Sequence, residues 1–307
     1  MMLSIKRKHI SMNTDVKDKI QMVVIYGVIA LAVILALLPL ITLISASFSE
    51  SSLLDQGISI FPKGLTTEAY RFIFTYPGEM LESYMITIGV TLIGLVLNLV
   101  LILLIAYPLS DVEFKYRGIV SFLVYFTMLF SAGLIPTYII IRNVLHLYDT
   151  LAILVIFPLC SPGHIFMARV FLQAVPKSLY ESAKLDGAGH YTILFRIAVP
   201  VIKPGLATLG FQILMLYWND ASTALNYTDR VTPIALYLQR WESYIKYLEM
   251  IQTGQIVGGG VIDPNVEIPK TSVRFAMGVL TCAPLLILFG FFQDKFVRGL
   301  TEGAVKE

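Results

Sequence analysis

Long uncharged apolar runs alternate with short polar segments along this chain, and their length predicts helices rather than strands. Six runs reach or approach the roughly 20 residues that a helix needs to cross a hydrocarbon core: 22–46, 83–110, 118–141, 150–168, 204–219 and 275–293. The fifth is short and is expected to borrow residues at its ends. Prolines fall inside the runs at Pro39, Pro108, Pro136, Pro158, Pro162 and Pro284. Such breaks survive in lipid where neighbouring helices or cavity water satisfy the freed backbone. A bundle around a pathway and ordinary kinked packing both fit that pattern. Between the runs, 66–74, 233–241 and 244–248 read as amphipathic helices, and Gly254 with Gly258-Gly259-Gly260 reads as loop.

Composition supports the same class. The 307 residues are 56% hydrophobic and 14% charged, with a mean hydropathy of +0.75, whereas soluble domains carry about 25% charged residues. The chain is therefore expected to be an all-α integral membrane protein. Six spans with the N-terminus in the cytoplasm place 15 of the 23 Lys and Arg residues inside and the other eight in the longer outer loops, as the positive-inside rule requires. The resulting layout is a cytoplasmic segment 1–21, a spanning domain 22–293 with outer loops 47–82 and 220–273, and a cytoplasmic tail 294–307. Ser45-Ala46-Ser47 resembles a signal-peptidase site, but the preceding apolar run is too long for a signal sequence and reads as an uncleaved anchor. Cys160 and Cys282 sit apart in apolar runs, and the four histidines show no ligand spacing, so no metal site is expected. No basic tract with interleaved aromatics points to nucleic acid.

One inner segment, 172–200, is polar where its surroundings are not. Pro176 suits a helix start, and Ser178 with Glu181 has the spacing of a capping box. A helix is expected from about Leu179 to Asp186, ended by Gly187 in the left-handed conformation. A second is expected from about Gly189 to Ile197, stopped by Pro200. Small Ser182 and Ala183 would let another surface approach closely, with Tyr180, Leu185, Tyr191 and Phe195 as apolar anchors. A rigid lever and an interfacial linker both fit this shape. Glu181 and Asp186 either meet basic groups of a partner or cap the two helices.

Glu181-Ser182-Ala183, then three residues, Gly187, nine residues, and Ile197-Ala198-Val199-Pro200 resemble the EAA loop of binding-protein-dependent ABC importer permeases. The spacings match; Ser182 and Val199 replace Ala and Leu. The C-terminal run from Phe292-Gln293-Asp294-Lys295 to Lys306 resembles the tail of the second permease of maltose-type carbohydrate importers. Met128-Leu129-Phe130-Ser131-Ala132-Gly133-Leu134-Ile135-Pro136 and Tyr217-Trp218-Asn219-Asp220-Ala221 resemble permeases for oligosaccharides and complex glycans. The resemblance implies a six-helix type I importer (MetI-like) fold in a bacterial cytoplasmic membrane, with both termini inside. It implies a heterodimer with a second permease, an ATPase dimer and an extracellular solute-binding protein. ATPase coupling would fall to Glu181, Ser182, Ala183, Leu185, Asp186, Gly187 and Ala188, and tail contacts to Gln293, Lys295, Arg298 and Thr301.

No G-x-x-x-x-G-K-[ST] occurs in the chain. The chain is thus expected to bind no cofactor and to catalyse nothing, with ATP and Mg used by the partner ATPase. A sugar pathway needs aromatic faces and hydrogen-bonding groups at membrane depth. Asn98, Tyr125, Thr127, Gln212, Tyr217, Trp218, Asn219 and Asp220 supply them, as pathway, as outer gate or as glue between helices. A secondary transporter would need intramembrane ionisable groups, and the runs are nearly free of them.

Overall fold

A stripe of small and apolar residues recurs every three or four positions along the second apolar run: Thr87, Val90, Gly94, Asn98, Ile102, Ala106 and Leu109 are all buried. That spacing lies on one helix face, and it makes this helix the centre of its unit. In the computed structural model, which describes residues 16–75, 77–252 and 270–304, the helix is α4, Pro77–Ser110. Among the described residues the structure is helical, with one isolated bridge between Ser49 and Leu65.

The chain divides into two units, Met1–Tyr70 with Ile268–Ala276, and Arg71–Glu267 with Met277–Glu307. In the first, α1 (Val16–Ser47) carries an apolar span whose most apolar stretch is unburied. Serines close its end: the Ser47 hydroxyl donates to the Ile44 carbonyl at 2.7 Å and lies 2.9 Å from Tyr70 Oη. The one-turn α2 (Ser51–Leu54) follows, with Ser51 Oγ 2.8 Å from Ser272 Oγ. The expected outer amphipathic helix is present as α3 (Glu68–Ile73).

In the second unit α4 packs against α8 (Pro162–Gln173) and α12 (Lys203–Trp218). Its core includes Ile102, Leu109, Leu172, Leu209 and Ile213. Lipid tails are as apolar as these side chains, so close packing rather than exclusion of water holds such helices together. Gly94 shows how close: a Cβ built there would meet the Tyr217 ring at 2.4–2.7 Å. Gly94→Ala should therefore push α12 off α4 and lower the melting temperature of the purified protein, whereas Gly89→Ala, where a Cβ meets nothing within 4 Å, should leave it unchanged.

Three of the six expected spans differ in form. The run 118–141 is not one helix. It is α5 (Arg117–Leu129) followed, at a bend of 111°, by 134–144, made of α6 (Leu134–Ile139) and a π turn (Ile140–Val144). Gly133, at φ +85°, makes the turn, and Pro136 falls in the first turn of α6, where its missing N–H has no partner to lose. The run 150–168 is broken into α7 (Leu151–Ile156) and α8, which continues to Gln173. Pro158 and Pro162 bracket the break, and Cys160 sits in it at φ +57°. The fifth run forms α12, and the helical stretch before it, His190–Val201, meets α12 at 89°.

Among the described residues three helices are by themselves long and apolar enough to cross a membrane, and two bent pairs are so when each is taken together. The last is α15, Lys270–Ala304, which runs straight through the expected tail. The amphipathic stretches after the fifth run form one helix, α14 (Ile234–Gln252), entered through the short α13 (Ala221–Tyr227). Gly254 and Gly258–Gly260 lie outside the described residues.

Candidate functional site

The polar inner segment folds as a helix, a tight turn and a second helical stretch. Pro176 enters it in the extended region, and Lys177–Leu185 form α9. At its end the Gly187 N–H donates to the Lys184 carbonyl at 3.1 Å and the Ala188 N–H to the Ala183 carbonyl at 2.9 Å. This pair of bonds is a Schellman motif, which needs a left-handed residue at its centre. Gly187 supplies it at φ +77°. The expected capping box is not made. The helix starts at Lys177, which draws Ser178 into the first turn and leaves Pro176 in the cap position without a side-chain bond. Asp186 does not cap the next helix either, because Gly189 occupies that position.

The second stretch is α10 (His190–Thr192), a π turn over Ile193–Ala198 and α11 (Val199–Val201). It does not stop at Pro200 as expected. A proline inside an α-helix removes one bond and presses on the carbonyl four residues before it. The wider π turn ahead of Pro200 gives that carbonyl room, so the helix passes through.

The inner side of this segment is fixed to two spans. Ala183, Ile193, Leu194 and Ala198 are buried. The Tyr180 hydroxyl donates to the Leu172 carbonyl of α8 at 3.1 Å. Burial first, then Tyr107 and Asp111, push its phenol up to about 12, so it stays a donor at any working pH. The Tyr107 ring, on the last turns of α4, stands 6.4 Å from Tyr180 and 6.0 Å from His190. Ala183 and Tyr180, expected to face a partner, thus face their own chain; a small residue on an amphipathic helix does not announce which side it takes.

The outer side carries Glu181, Ser182, Lys184, Leu185 and Asp186, with Leu185 88% exposed. Among the described residues Glu181 and Asp186 make no hydrogen bond through their side chains and no ion pair. Ala188 is half-buried and Tyr191 exposed. Leu185 thus stands bare between unpaired charges, on a helix fixed underneath.

The sequence pattern of the binding-protein-dependent transport system inner membrane components matches residues 110–302. The chain belongs to that family. It is similar to Protein LplC of Bacillus subtilis, at 31% identity over 89% of this chain and 90% of the relative. It is also similar to the polygalacturonan/rhamnogalacturonan transport system permease protein YtcP of Bacillus subtilis, at 29% identity over 94% of this chain and 99% of that one. Among solved structures it resembles a chain of a bacterial ABC transporter involved in the import of the acidic polysaccharide alginate. The TM-score there is 0.75 at 26% identity, covering 91% of this chain and 98% of the other.

Within this permease the polar residues of the spans are not gathered around one space. Asn98 is fully buried and spends both ends of its amide on the break in the fourth run: it donates to the Pro158 carbonyl at 3.3 Å and accepts from the Cys160 N–H at 3.0 Å. Tyr217, also buried, donates to the Val155 carbonyl at 2.8 Å, and Trp218 Nε1 donates to the Thr281 carbonyl at 3.2 Å. Asp220 caps α13 by accepting from the Thr223 N–H at 3.0 Å, and Asn219 donates to the Met215 carbonyl at 2.9 Å. Tyr125 and Thr127 lie on exposed faces of α5, and Gln212 is half-buried on α12. Gln293 is exposed; the side chains of Lys295, Arg298 and Thr301 lie outside the described residues. Among the described residues no group of three or more His, Cys, Asp or Glu is placed to hold a metal.

Beyond the bend, a second polar cluster ties 148–149 to 229–230. Asp149, at φ +56°, accepts from the Arg230 and Asp229 N–H groups at 2.9 and 3.0 Å and pairs with Arg230 Nε at 3.1 Å. The Tyr148 hydroxyl donates to Asp229 at 2.9 Å, and the Arg142 guanidinium lies over the Tyr148 ring. The two N–H bonds, Arg230 first, hold the Asp149 carboxyl below its ordinary value against desolvation, helped by the Arg230 charge. Its contribution is therefore complete above the ordinary carboxylate range and fades as pH falls through the lowered value. Melting curves taken from pH ~7 down to pH ~3 should show an acid loss of stability in the native protein that is shallower in Asp149→Asn. No single residue type marks this tie in the sequence.

Proposed function

We propose that this chain is one of two membrane-spanning subunits of an ATP-driven importer for an oligosaccharide delivered by an extracellular solute-binding protein. Its own role is non-catalytic; a separate ATPase dimer uses ATP and Mg. The observation that carries the reading is the segment Lys177–Val201, rigid and fixed beneath, bare and unpaired above. Closure of the ATPases on α9 would move that helix as a body. Tyr180 and Tyr107 then pass the displacement to α8 and α4, so the spans switch between inward-open and outward-open arrangements. ATP and loaded binding protein each bias that two-state element.

In this reading Glu181, Ser182, Leu185 and Asp186 meet the ATPase surface. Gly187 and Ala188 hold the turn that sets the angle of α9, and Ala183 seats it. Gln293, Lys295, Arg298 and Thr301 of the C-terminal tail would contact the same partner. The excess of basic residues on segments 1–21, 172–203 and 294–307 supports an orientation with these parts and both termini in the cytoplasm. The names of the similar permeases support a carbohydrate as cargo.

Affinity purification of the tagged chain from its native membrane tests the reading. The expected result is a complex with a second multi-span permease and two copies of an ATPase, whose hydrolysis rises with sugar-loaded binding protein. A stable, transport-active assembly lacking any ATPase would overturn it.

A further inference from the structure

Between the first turns of α4 and helix α14 lies a cavity of about 600 Å³, within the roughly 300–1,000 Å³ typical of small-molecule sites. Its two walls are single helix faces. Glu79, Glu82 and Ser83 follow one another at turn spacing on α4, and Arg240, Trp241 and Tyr244 do so on α14. Below them the helices are tied, where the Ile234 N–H donates to Thr87 Oγ1 at 2.8 Å. Above the tie, charged side chains stand where packed helices would place interlocking apolar ones.

The groups in this cleft are held and unspent. Phe72 and Tyr244 stand nearly perpendicular to the Trp241 indole, at 6.0 and 5.8 Å between ring centres, and fix its plane. Arg240 is anchored by Thr232 Oγ1 at 2.8 Å and by the Asp229 carbonyl at 3.4 Å. Arg230, which closes one side, gives its Nε to Asp149 at 3.1 Å. Among the described residues the Glu79 and Glu82 carboxylates have no hydrogen-bond or ion-pair partner.

We infer that this cleft is a holding site for a neutral oligosaccharide. The inference rests on the carbohydrate-import reading and adds a site and a substrate class to it. A sugar ring presents C–H faces that pack on an indole, and hydroxyls that donate to carboxylates and accept from guanidinium N–H groups. A purely apolar ligand would strip water from four charged side chains and return nothing. A uronate chain would bring its carboxylates against the unpaired Glu79 and Glu82, while one of the two lining arginines, Arg230, already pairs with Asp149. In the orientation proposed above, residues 77–82 form the outer end of α4, where a sugar would arrive from outside.

The test uses the whole permease–ATPase complex in lipid nanodiscs, without the binding protein. Saturation-transfer NMR is recorded with xylo-, arabino- and malto-oligosaccharides and with oligogalacturonate. A neutral chain should bind saturably. Trp241→Ala and Tyr244→Ala should each weaken it about tenfold, as loss of an aromatic anchor does. Glu79→Gln with Glu82→Gln should weaken it further. Tyr244 is exposed, so its variant keeps the test valid if Trp241→Ala disturbs packing. Absent binding, binding indifferent to the aromatic substitutions, or oligogalacturonate binding as tightly as a neutral chain would each overturn the site. Uptake of the same panel by the intact system separates the two readings: import of any oligosaccharide without binding here overturns the cleft alone, and import of none overturns the carbohydrate reading with it.

Discussion

Gly187→Pro should abolish substrate uptake while the protein still reaches the membrane. Position 187 sits at φ +77°, and proline is locked near −65°, so the chain cannot turn there at all. The substitution also deletes the N–H that donates to the Lys184 carbonyl and displaces the Ala188 N–H from the Ala183 carbonyl. The last turn of α9, which carries Leu185 and Asp186, would lose its direction. The spans do not depend on that turn, so insertion should survive. A graded series sharpens the test. A Cβ at this position meets nothing within 4 Å, so Gly187→Ala carries only the left-handed backbone cost of about 1–2 kcal/mol, and Gly187→Asn less, since asparagine visits that region readily. Uptake should fall in the order Gly, Asn, Ala, Pro, with equal amounts of each variant in membranes by immunoblot. Uptake by the proline variant at the native rate would remove α9 from the coupling route.

The same residues show what a sequence can and cannot carry. Gly187 was legible because a left-handed helix end has one favoured residue. The apolar runs were legible because a bilayer imposes a length. Hydropathy, however, is blind to backbone direction: 118–141 is apolar throughout, yet it turns by 111° at Gly133. Ser131-Ala132-Gly133 followed by Pro136 is the available signal, and it lies inside an otherwise continuous apolar run. Caps failed for a related reason. Ser178 and Glu181 have the right spacing, but two extra helical residues, begun at Lys177 behind Pro176, take the spacing out of register. Aromatic ties such as Tyr107 to Tyr180 were invisible, since each ring sits in a segment whose neighbours in space are far away in sequence. Likewise, Glu79 and Glu82 belonged to an outer loop in the sequence, and only the packing of α14 on α4 faces them with Trp241.

Asn98 divides glue from pathway, and its removal should be the most damaging single change within the spans. The chain between α7 and α8 leaves helical form over the half-buried residues 158–161, and the Pro158 carbonyl and the Cys160 N–H are satisfied there by one amide. With Asn98 fully buried, Asn98→Leu keeps the volume but orphans both groups, at about 1–3 kcal/mol each. Tyr217 holds the other side of the break through the Val155 carbonyl, so Tyr217→Phe should cost less than Asn98→Leu, one group against two. The losses should exceed additivity when combined, because both side chains brace the same bend. Two measurements check this: the melting temperature of the purified complex, and maleimide labelling of Cys160, whose thiol is only half-buried and should react faster once the break loosens. Cys282, also free and half-buried but remote from Asn98 in the chain, serves as the internal reference. Native melting and labelling in Asn98→Leu, together with a changed uptake rate, would reverse the assignment: the amide would then be spent on cargo rather than on the backbone.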